Sequence, residues 1–552
     1  MDNQSEAAFF SMKLLLLQPP VQDYYDTDIR LQPIGLCYLK AAVKRHLPGV
    51  DVMVRDFHAG HGRRTVRVPR ELSYLTGYYH IKDSSPFSLF STYYHFGAPY
   101  EQVGRQVAGE RPDLVGISSL FSTYQEEALR CAEEIKTLLD VPVVMGGGHA
   151  TALPETVLAH PAVDFVIRGE GERPLVALVK ALGEGRDLRT VPNLGFKDHG
   201  RLVFNPTEDN FPIEDLSVPD VSDLDPARYG SRGRPIACIV SSRGCPFRCD
   251  FCSVHSTFGR TYRRRSNESI IREIEQRYQE GYRVFDFEDD NFAFEREQTR
   301  RLLLEIVERF PPGTLDLYAM NGLCYFGLDA ELLTLMKQAG FSQLNLSLVS
   351  GNPEVCAAHR RPCTVTGFEQ AAVAGFQLGM RVIGYQILGL PGESLESMAQ
   401  TMTLLARLPL LLGASVFYLA PGSRLWETRG GRSDQLKLAR LTALATHSEL
   451  VSRDQLYTLL VTARIINFLK GLKFGENKQG IPIRDVLEQD RSFDRRTALG
   501  LRLLRTLLSE GILCASDGLQ DYPLKHFKPD LFHLIWSSTG SITTLKGETV
   551  RL

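Results

Sequence analysis

The chain has 552 residues, 43% hydrophobic and 23% charged, with a formal net charge of −2. This is ordinary globular composition, long enough for roughly two to four domains, and the near-neutral charge excludes bulk nucleic-acid binding. No apolar run reaches the roughly 20 residues of a membrane-spanning helix, and the LLLL at 14–17 follows an acidic, aromatic leader without a basic start, so neither a transmembrane segment nor a signal peptide is expected.

In chain order, short apolar runs at 13–17, 50–56, 114–118, 141–146 and 164–167 read as parallel strands, with helical patterns between them at 36–46 and 126–139. Alternating strands and helices predict an α/β, doubly wound, Rossmann-like unit over 1–203. The turns GISSLFST (116–123), MGGGHATALPE (145–155) and IRGEGE (167–172) fall after strands. They are expected at the carboxyl edge of the sheet, where such folds bind ligands. Their small residues let a large ligand approach the backbone. The segment 63–110 is rich in aromatics and reads as an insert that caps a ligand, lines a cavity or simply packs. DFHAGHG (56–62) nearly spells D-x-H-x-x-G, but its glycines are displaced and it follows the second strand. A surface loop is therefore preferred there over a metal-ligating role for His58.

QPP (18–20), PIGLCYLKAAVKRH (33–46), PDLVGIS (112–118), GGGHAT and VIRGEGE together resemble the cobalamin (B12)-binding domain of B12-dependent radical S-adenosylmethionine (SAM) proteins, over roughly residues 10–190. That resemblance implies corrin contacts from Ser118, Gly147, Gly148, His149, Gly169 and Glu170. The alternative is a Rossmann-like domain that binds a nucleotide or nothing.

Residues 204–233 carry Pro206, Pro212, Pro219 and Pro226 among acidic residues and read as a linker draped over the surface. A buried strand at 236–242 then runs into RGCPFRCDFCS, with Cys245, Cys249 and Cys252 spaced C-x3-C-x2-C. Three such thiolates can hold three irons of a [4Fe–4S] cluster and leave the fourth open to a substrate. A zinc site completed by His255 is conceivable but lacks the usual paired spacing. A disulfide framework is not expected, because the other seven cysteines are scattered through apolar contexts. Gly244 and Pro246 suit a tight loop. The run resembles the radical SAM superfamily, in which SAM chelates the open iron and Phe251 would sit beside the adenine.

Strand-like runs at 284–292, 314–321, 344–351, 380–394 and 414–423, with helical patterns such as 268–278 and 328–340, predict a partial (β/α)6 barrel over 234–430. Ligands are expected at the strands' carboxyl ends. The resemblance implies SAM contacts from Glu288, Asp289 and Asp290 after the second strand, although Asp290 or Asn291 also suits a helix N-cap. It further implies contacts from Asn321, Ser347 and, in ILGLPGE (387–393), Leu388. One departure is that Val349 stands where many relatives have a glutamate. RRR (263–265) reads as a solvated or anion-contacting patch. Residues 431–552 read as mostly helical, with helices expected at 433–451, 454–474 and 495–511 and an aromatic tail (Tyr522, Phe527, Phe532, Trp536) that is either a lid or packed.

The combined resemblance implies a cobalamin-dependent radical SAM enzyme with three cofactors: a [4Fe–4S] cluster, S-adenosyl-L-methionine and cobalamin. Its expected reaction is methylation of an unactivated carbon through a 5′-deoxyadenosyl radical and methylcobalamin. The alternatives are a non-methylating oxidation, cyclisation or ring rearrangement, and a B12-binding or sensing protein with a degenerate SAM core. The expected partners are a small-molecule or peptide substrate and an electron donor such as flavodoxin or ferredoxin. The expected location is cytoplasmic, where thiols stay reduced.

Overall fold

The computed structural model describes residues 11–25, 32–80, 82–208, 212–231, 233–472, 480–488 and 494–552. β1 (Met12–Gln18) reads MKLLLLQ and is buried almost throughout. That continuous apolar run marks a central strand covered on both faces. It pairs in parallel with β2 (Val50–Asp56) and β3 (Leu114–Ser118). β4 (Val143–Gly146) and β5 (Phe165–Ile167) extend the parallel sheet beyond β3. β6 (Leu194–Asp198) and β7 (Arg201–Phe204) close it as an antiparallel hairpin, giving the order β2-β1-β3-β4-β5-β6-β7. The chain reverses direction across the sheet between β1 and β3, so a ligand crevice opens at their carboxyl ends.

The helices α1 (Ile34–His46), α2 (Tyr100–Glu110) and α3 (Gln125–Leu138) cover this sheet. α2 corrects the expectation of an insert reaching residue 110, because it is the ordinary crossover between β2 and β3. The true addition is shorter, and its aromatics turn to the C-terminal region. Tyr79 donates to Thr442 O at 2.6 Å, Tyr78 to Asp454 Oδ1 at 2.7 Å, and Tyr74 to Ala443 O. Tyr24 packs edge-to-face on Tyr79 and Tyr93. The proline-rich connector is pinned rather than loosely draped. Ile213 and Leu216 are buried against Tyr38, and Lys40 reaches Asp223 at 2.6 Å.

The second sheet system is parallel. β8 (Arg234–Ile239), β9 (Val284–Phe287) and β10 (Asp316–Tyr318) pair in sequence. β11 (Gln343–Val349), β12 (Arg381–Leu388) and β13 (Leu411–Val416) form the other half. Single parallel bridges, Leu317 to Phe341 and Leu323 to Leu346, join the halves. Among the described residues no pairing links β13 back to β8, so the six-stranded barrel is partial. Its free edge is blunted by Asn467 on α5 (Arg453–Gly471). That amide donates to Leu412 O at 2.8 Å and accepts from Leu412 N at 2.9 Å, occupying one residue of the exposed ladder.

The helix expected over 433–451 is replaced by two short 3-10 turns, Ser433–Leu438 and Leu441–Ala443. The reason is electrostatic. Lys437 reaches Glu127 at 3.0 Å, and Arg440 reaches Asp23 at 3.1 Å and Gln22 O at 2.8 Å. Burying these cations requires their partners in the N-terminal unit, and the chain bends to meet them. The aromatic tail is packed: Phe527 and Phe532 are buried. The helix Pro529–Thr539 is tied to Arg407, whose Nε donates to Thr539 O at 3.0 Å.

Candidate active site

β8 delivers the chain to Ser241, Ser242, Arg243 and Gly244, immediately before the first clustered cysteine. Gly244 has φ +82°, and a Cβ there would stand 2.6 Å from Thr261 O, so the tight entry to the loop demands glycine. The loop is held from β9. Asp289 is buried and accepts from Ser241 N at 2.7 Å, Ser242 N at 3.1 Å, Ser242 Oγ at 2.9 Å and the Ser241 hydroxyl. Asp290 accepts from Gly244 N at 2.9 Å, and burial pushes its carboxyl up to about 6.

Cys245, Cys249 and Cys252 are free thiols that line this loop, which is turned by a Cys252 N to Cys249 O hydrogen bond of 3.2 Å. Burial, reinforced by the charges of the other two thiols, pushes Cys252 up to about 11. Three thiolates cannot share this loop without a cationic partner, and an iron–sulfur cluster is such a partner. Donors already face the sulfurs: Arg361 Nη1 lies 3.9 Å from Cys249 Sγ and Asn291 Nδ2 lies 3.9 Å from Cys245 Sγ. Asn291 Oδ1 is buried without a partner in the same place. The residues fit a [4Fe–4S] cluster. Among the described residues no three His, Cys, Asp or Glu side chains converge closely enough for a single metal ion, so the zinc reading with His255 gains nothing.

The residues expected around SAM divide into two sets. Glu288 is half-buried at the mouth of the barrel, accepts from Asn321 Nδ2 at 2.9 Å, and is pushed up by burial. Asp289 and Asp290 instead face the cysteine loop and anchor it. Ser347 is half-buried at the end of β11, where its carbonyl accepts from Arg361 Nη2 at 2.9 Å. Arg361 thereby joins the cluster loop to the fourth strand. Leu388 is fully buried in the barrel core. Its neighbour Ile387 points the other way and packs with Phe251, Val349 and Leu390 in an apolar patch beside the cysteines. The period-two alternation of β12 carries this distinction. Val349 has φ +76° at a bulge in β11. A β-branched residue in the left-handed region is strained, and this strain sits where the resemblance led us to expect a glutamate.

The residues expected around cobalamin lie at the carboxyl edge of the first sheet. Ser118 ends β3 opposite Gly146. Gly147 has φ +109°, and a Cβ on it would meet Ser119 O at 2.8 Å; one on Gly148 would meet Leu120 O at 2.9 Å. These glycines let two loops close on each other at the crevice. Beside them Leu120 and Phe121 are 49% and 46% exposed, and Ser119 Oγ is buried without a partner. Bare apolar side chains next to an orphaned hydroxyl fit a large ligand such as a corrin. His149 is buried behind this edge, with Nδ1 3.0 Å from Ser122 Oγ and Nε2 3.0 Å from Gln125 Oε1, and burial pushes it down to about 4. Both its nitrogens are engaged within the protein. His58, at the end of the outer strand β2, turns its Nδ1 toward Phe96 O at 3.4 Å.

Glu170, in the loop after β5, is engaged within the protein. It accepts from Arg243 Nη1 at 3.1 Å and from Arg263 at 3.0 and 2.8 Å, while Glu172 accepts from Arg243 Nη2 at 2.6 Å. This buried network fastens the loop after β5 to the residue preceding Gly244. Of the two readings of RRR, solvated or anion-contacting, the second holds for Arg263 and Arg265. Arg263 enters the network, Arg264 bonds Asn267 at 2.7 Å, and the buried Arg265 pairs with Glu273 at 2.5 Å.

The two ligand edges meet at one short helix, α4 in the sequence between the cysteines and the network (Val254–Phe258). Cβ atoms on Gly148 and Gly169 would lie 4.0 Å from Thr257 Oγ1 and 3.6 Å from Thr257 O. On the other side a Cβ on Gly422 would lie 2.9 Å from Ser256 Oγ and 3.2 Å from Ala152 Cβ. Thr257, Arg243, Ile387 and Leu120 belong to this region and were not singled out from sequence. Only Ile387 and Leu120 left a signal there, as alternation and as apolar residues within a turn.

A family model described as the Radical SAM superfamily matches residues 239–405, and one described as a B12 binding domain matches residues 90–179. The chain is 29% identical to an uncharacterised methyltransferase of Pyrococcus horikoshii, over 75% of this chain and 83% of that protein. It is 28% identical to an anaerobic magnesium-protoporphyrin IX monomethyl ester cyclase of Rubrivivax gelatinosus, over 54% of this chain and 55% of the other. Among solved structures it resembles a cobalamin-dependent S-adenosylmethionine radical enzyme, OxsB, with aqua-cobalamin and S-adenosylmethionine bound. That match has a TM-score of 0.63 and 13% identity over 90% of this chain and 71% of the other, a likeness of fold.

Proposed function

We propose that this chain, a member of the cobalamin-dependent radical SAM family, transfers a methyl group to an unactivated carbon of a small molecule or peptide. One observation carries the reading: the glycine-lined carboxyl edge of the first sheet and the cysteine loop of the barrel share the helix Val254–Phe258 as a common wall. When bound, the cluster with SAM supplies a hydrogen-abstracting carbon radical, and cobalamin supplies the methyl group.

The protein's share is placement. Cys245, Cys249 and Cys252 hold the cluster, and Asp289 and Asp290 fix their loop. Glu288 and Asn321 offer the polar end of the SAM site, while Phe251, Ile387 and Val349 offer its apolar end. Gly147, Gly148, Ser119 and Leu120 frame the corrin. The Glu170–Arg243 network sets the distance between the two sites, which radical chemistry requires to be short and dry. We divide the chain accordingly into 1–203, a connector at 204–233, the core at 234–430 and a C-terminal region at 431–552. No helix among the described residues is long and apolar enough to cross a membrane. We place the protein in the cytoplasm, with flavodoxin or ferredoxin as electron donor.

The test uses anaerobically purified, reconstituted protein supplied with cobalamin, SAM and a strong reductant. Bound corrin, 5′-deoxyadenosine and methylcobalamin are the expected products. Corrin and 5′-deoxyadenosine without methylcobalamin would replace methyl transfer by a non-methylating reaction. Deoxyadenosine without bound corrin would remove cobalamin from the mechanism.

A further inference from the structure

Two cysteines outside the cluster lie together. Cys356 Sγ donates to Ser350 O at 3.3 Å and Cys363 Sγ donates to the same oxygen at 3.5 Å. The shared acceptor sets the two thiols side by side. Their environments differ: Cys356 is 1% exposed on the helix Pro353–Ala358, whereas Cys363 is half-buried. The turn between them is fixed at several points. His359 Nε2 contacts Pro391 O at 2.9 Å, Thr364 N donates to Tyr325 Oη at 3.1 Å, and Arg360 takes φ +52°. Arg361, within this turn, is the residue that reaches Cys249 Sγ.

We propose that Cys356 and Cys363 are a redox-active dithiol that low-molecular-weight disulfides oxidise to an intramolecular disulfide. Cys363 is the attacking sulfur and Cys356 the resolving one. The Cys363 thiolate attacks one sulfur of the small disulfide, whose S–S bond breaks and releases a thiolate. The Cys356 thiolate then attacks the Cys363 sulfur, forming the protein disulfide and releasing the second thiolate. Two protein thiols lose two electrons, the small disulfide gains them, and the two protons pass to the released thiolates or to solvent. The surroundings favour this order. The neighbouring Cys356, with help from Tyr325 and Arg361, pulls Cys363 down to about 6, while Cys356 is held well above the ordinary thiol range. The bridge would span the turn that carries Arg361 to the cluster loop, so the oxidation state of the pair is felt one side chain from Cys249.

The test uses the full chain with its cluster reconstituted, held anaerobically with oxidised glutathione, then alkylated and digested. Trypsin cuts after Arg360, between the two cysteines, so a disulfide joins two separate peptides. The expected result is a Cys356–Cys363 linked pair that dithiothreitol releases. Cys356→Ser is expected to stop at a glutathione adduct on Cys363, and Cys363→Ser to give neither linkage nor adduct at Cys356. The proposal falls if the unmodified chain keeps a glutathione adduct on Cys363 without resolving it. It falls equally if Cys363 links to Cys324, or if both thiols stay alkylatable across glutathione ratios down to the fully oxidised form.

Discussion

Glu170→Gln is the sharpest probe of how the two halves are joined. Glu170 sits between Arg243 and Arg263, with side chains 3%, 8% and 14% exposed. With Glu172 the group holds two cations and two anions. The substitution removes one anion, keeps the shape, and leaves one positive charge in excess in a buried site. It also turns an amide donor toward guanidinium donors. Breaking one side of a buried pair costs about 3–5 kcal/mol. Arg243 keeps Glu172 at 2.6 Å, so the lower end, about 3 kcal/mol, is expected. Urea unfolding followed by fluorescence reads this, since Trp426 follows Leu425, whose N–H donates to Asp250 O in the cysteine loop at 3.0 Å. The Glu170→Gln and Arg263→Met double-mutant cycle should return a coupling of about 2 kcal/mol. Iron and corrin contents should stay near stoichiometric while methyl transfer per 5′-deoxyadenosine formed falls. A coupling below about 0.5 kcal/mol, the range of an exposed pair, would refute the reasoning that this network joins the sites.

Cys249→Ala should abolish 5′-deoxyadenosine formation while cobalamin still co-purifies; retained SAM cleavage would remove Cys249 from the cluster. Gly148→Ala forces a Cβ to within 2.9 Å of Leu120 O, a strain of about 1–3 kcal/mol, so corrin affinity should drop about tenfold or more while iron content holds. Unchanged corrin titration would detach this loop from the cofactor. His149 is held at about 4 by burial, below its unfolded value of about 6.5. The unfolded chain therefore binds the proton first as pH falls. Stability should decline from about pH 6.5 down to about 4, by up to about 3 kcal/mol. His149→Gln should flatten that slope between pH 7.5 and 5, and an unchanged slope would assign it to other groups.

The sequence by itself determined what depends on local order. The unbroken apolar run Leu14–Leu17 specifies a strand buried on both faces, and the alternation of such runs with amphipathic stretches specifies a doubly wound sheet followed by a second parallel set. Cys245, Cys249 and Cys252 lie within eight residues, so one loop suffices to bring them together and their chemistry is legible without a fold. Tertiary structure decided everything that depends on what lies opposite. Glu170 stands in a glycine-rich turn, and only the fold shows that it meets Arg243 and Arg263 from some seventy to ninety residues away. That Asp289 and Asp290 hold the cysteine loop could not be read from their run of acids. The segment 433–451 has helical spacing, but Lys437 and Arg440 find their counter-ions more than three hundred residues earlier, and a buried cation outweighs a few tenths of a kcal/mol per residue of helix propensity. Charge and burial act through space, and which side chains face each other across the two sheets is fixed only when the sheets are packed.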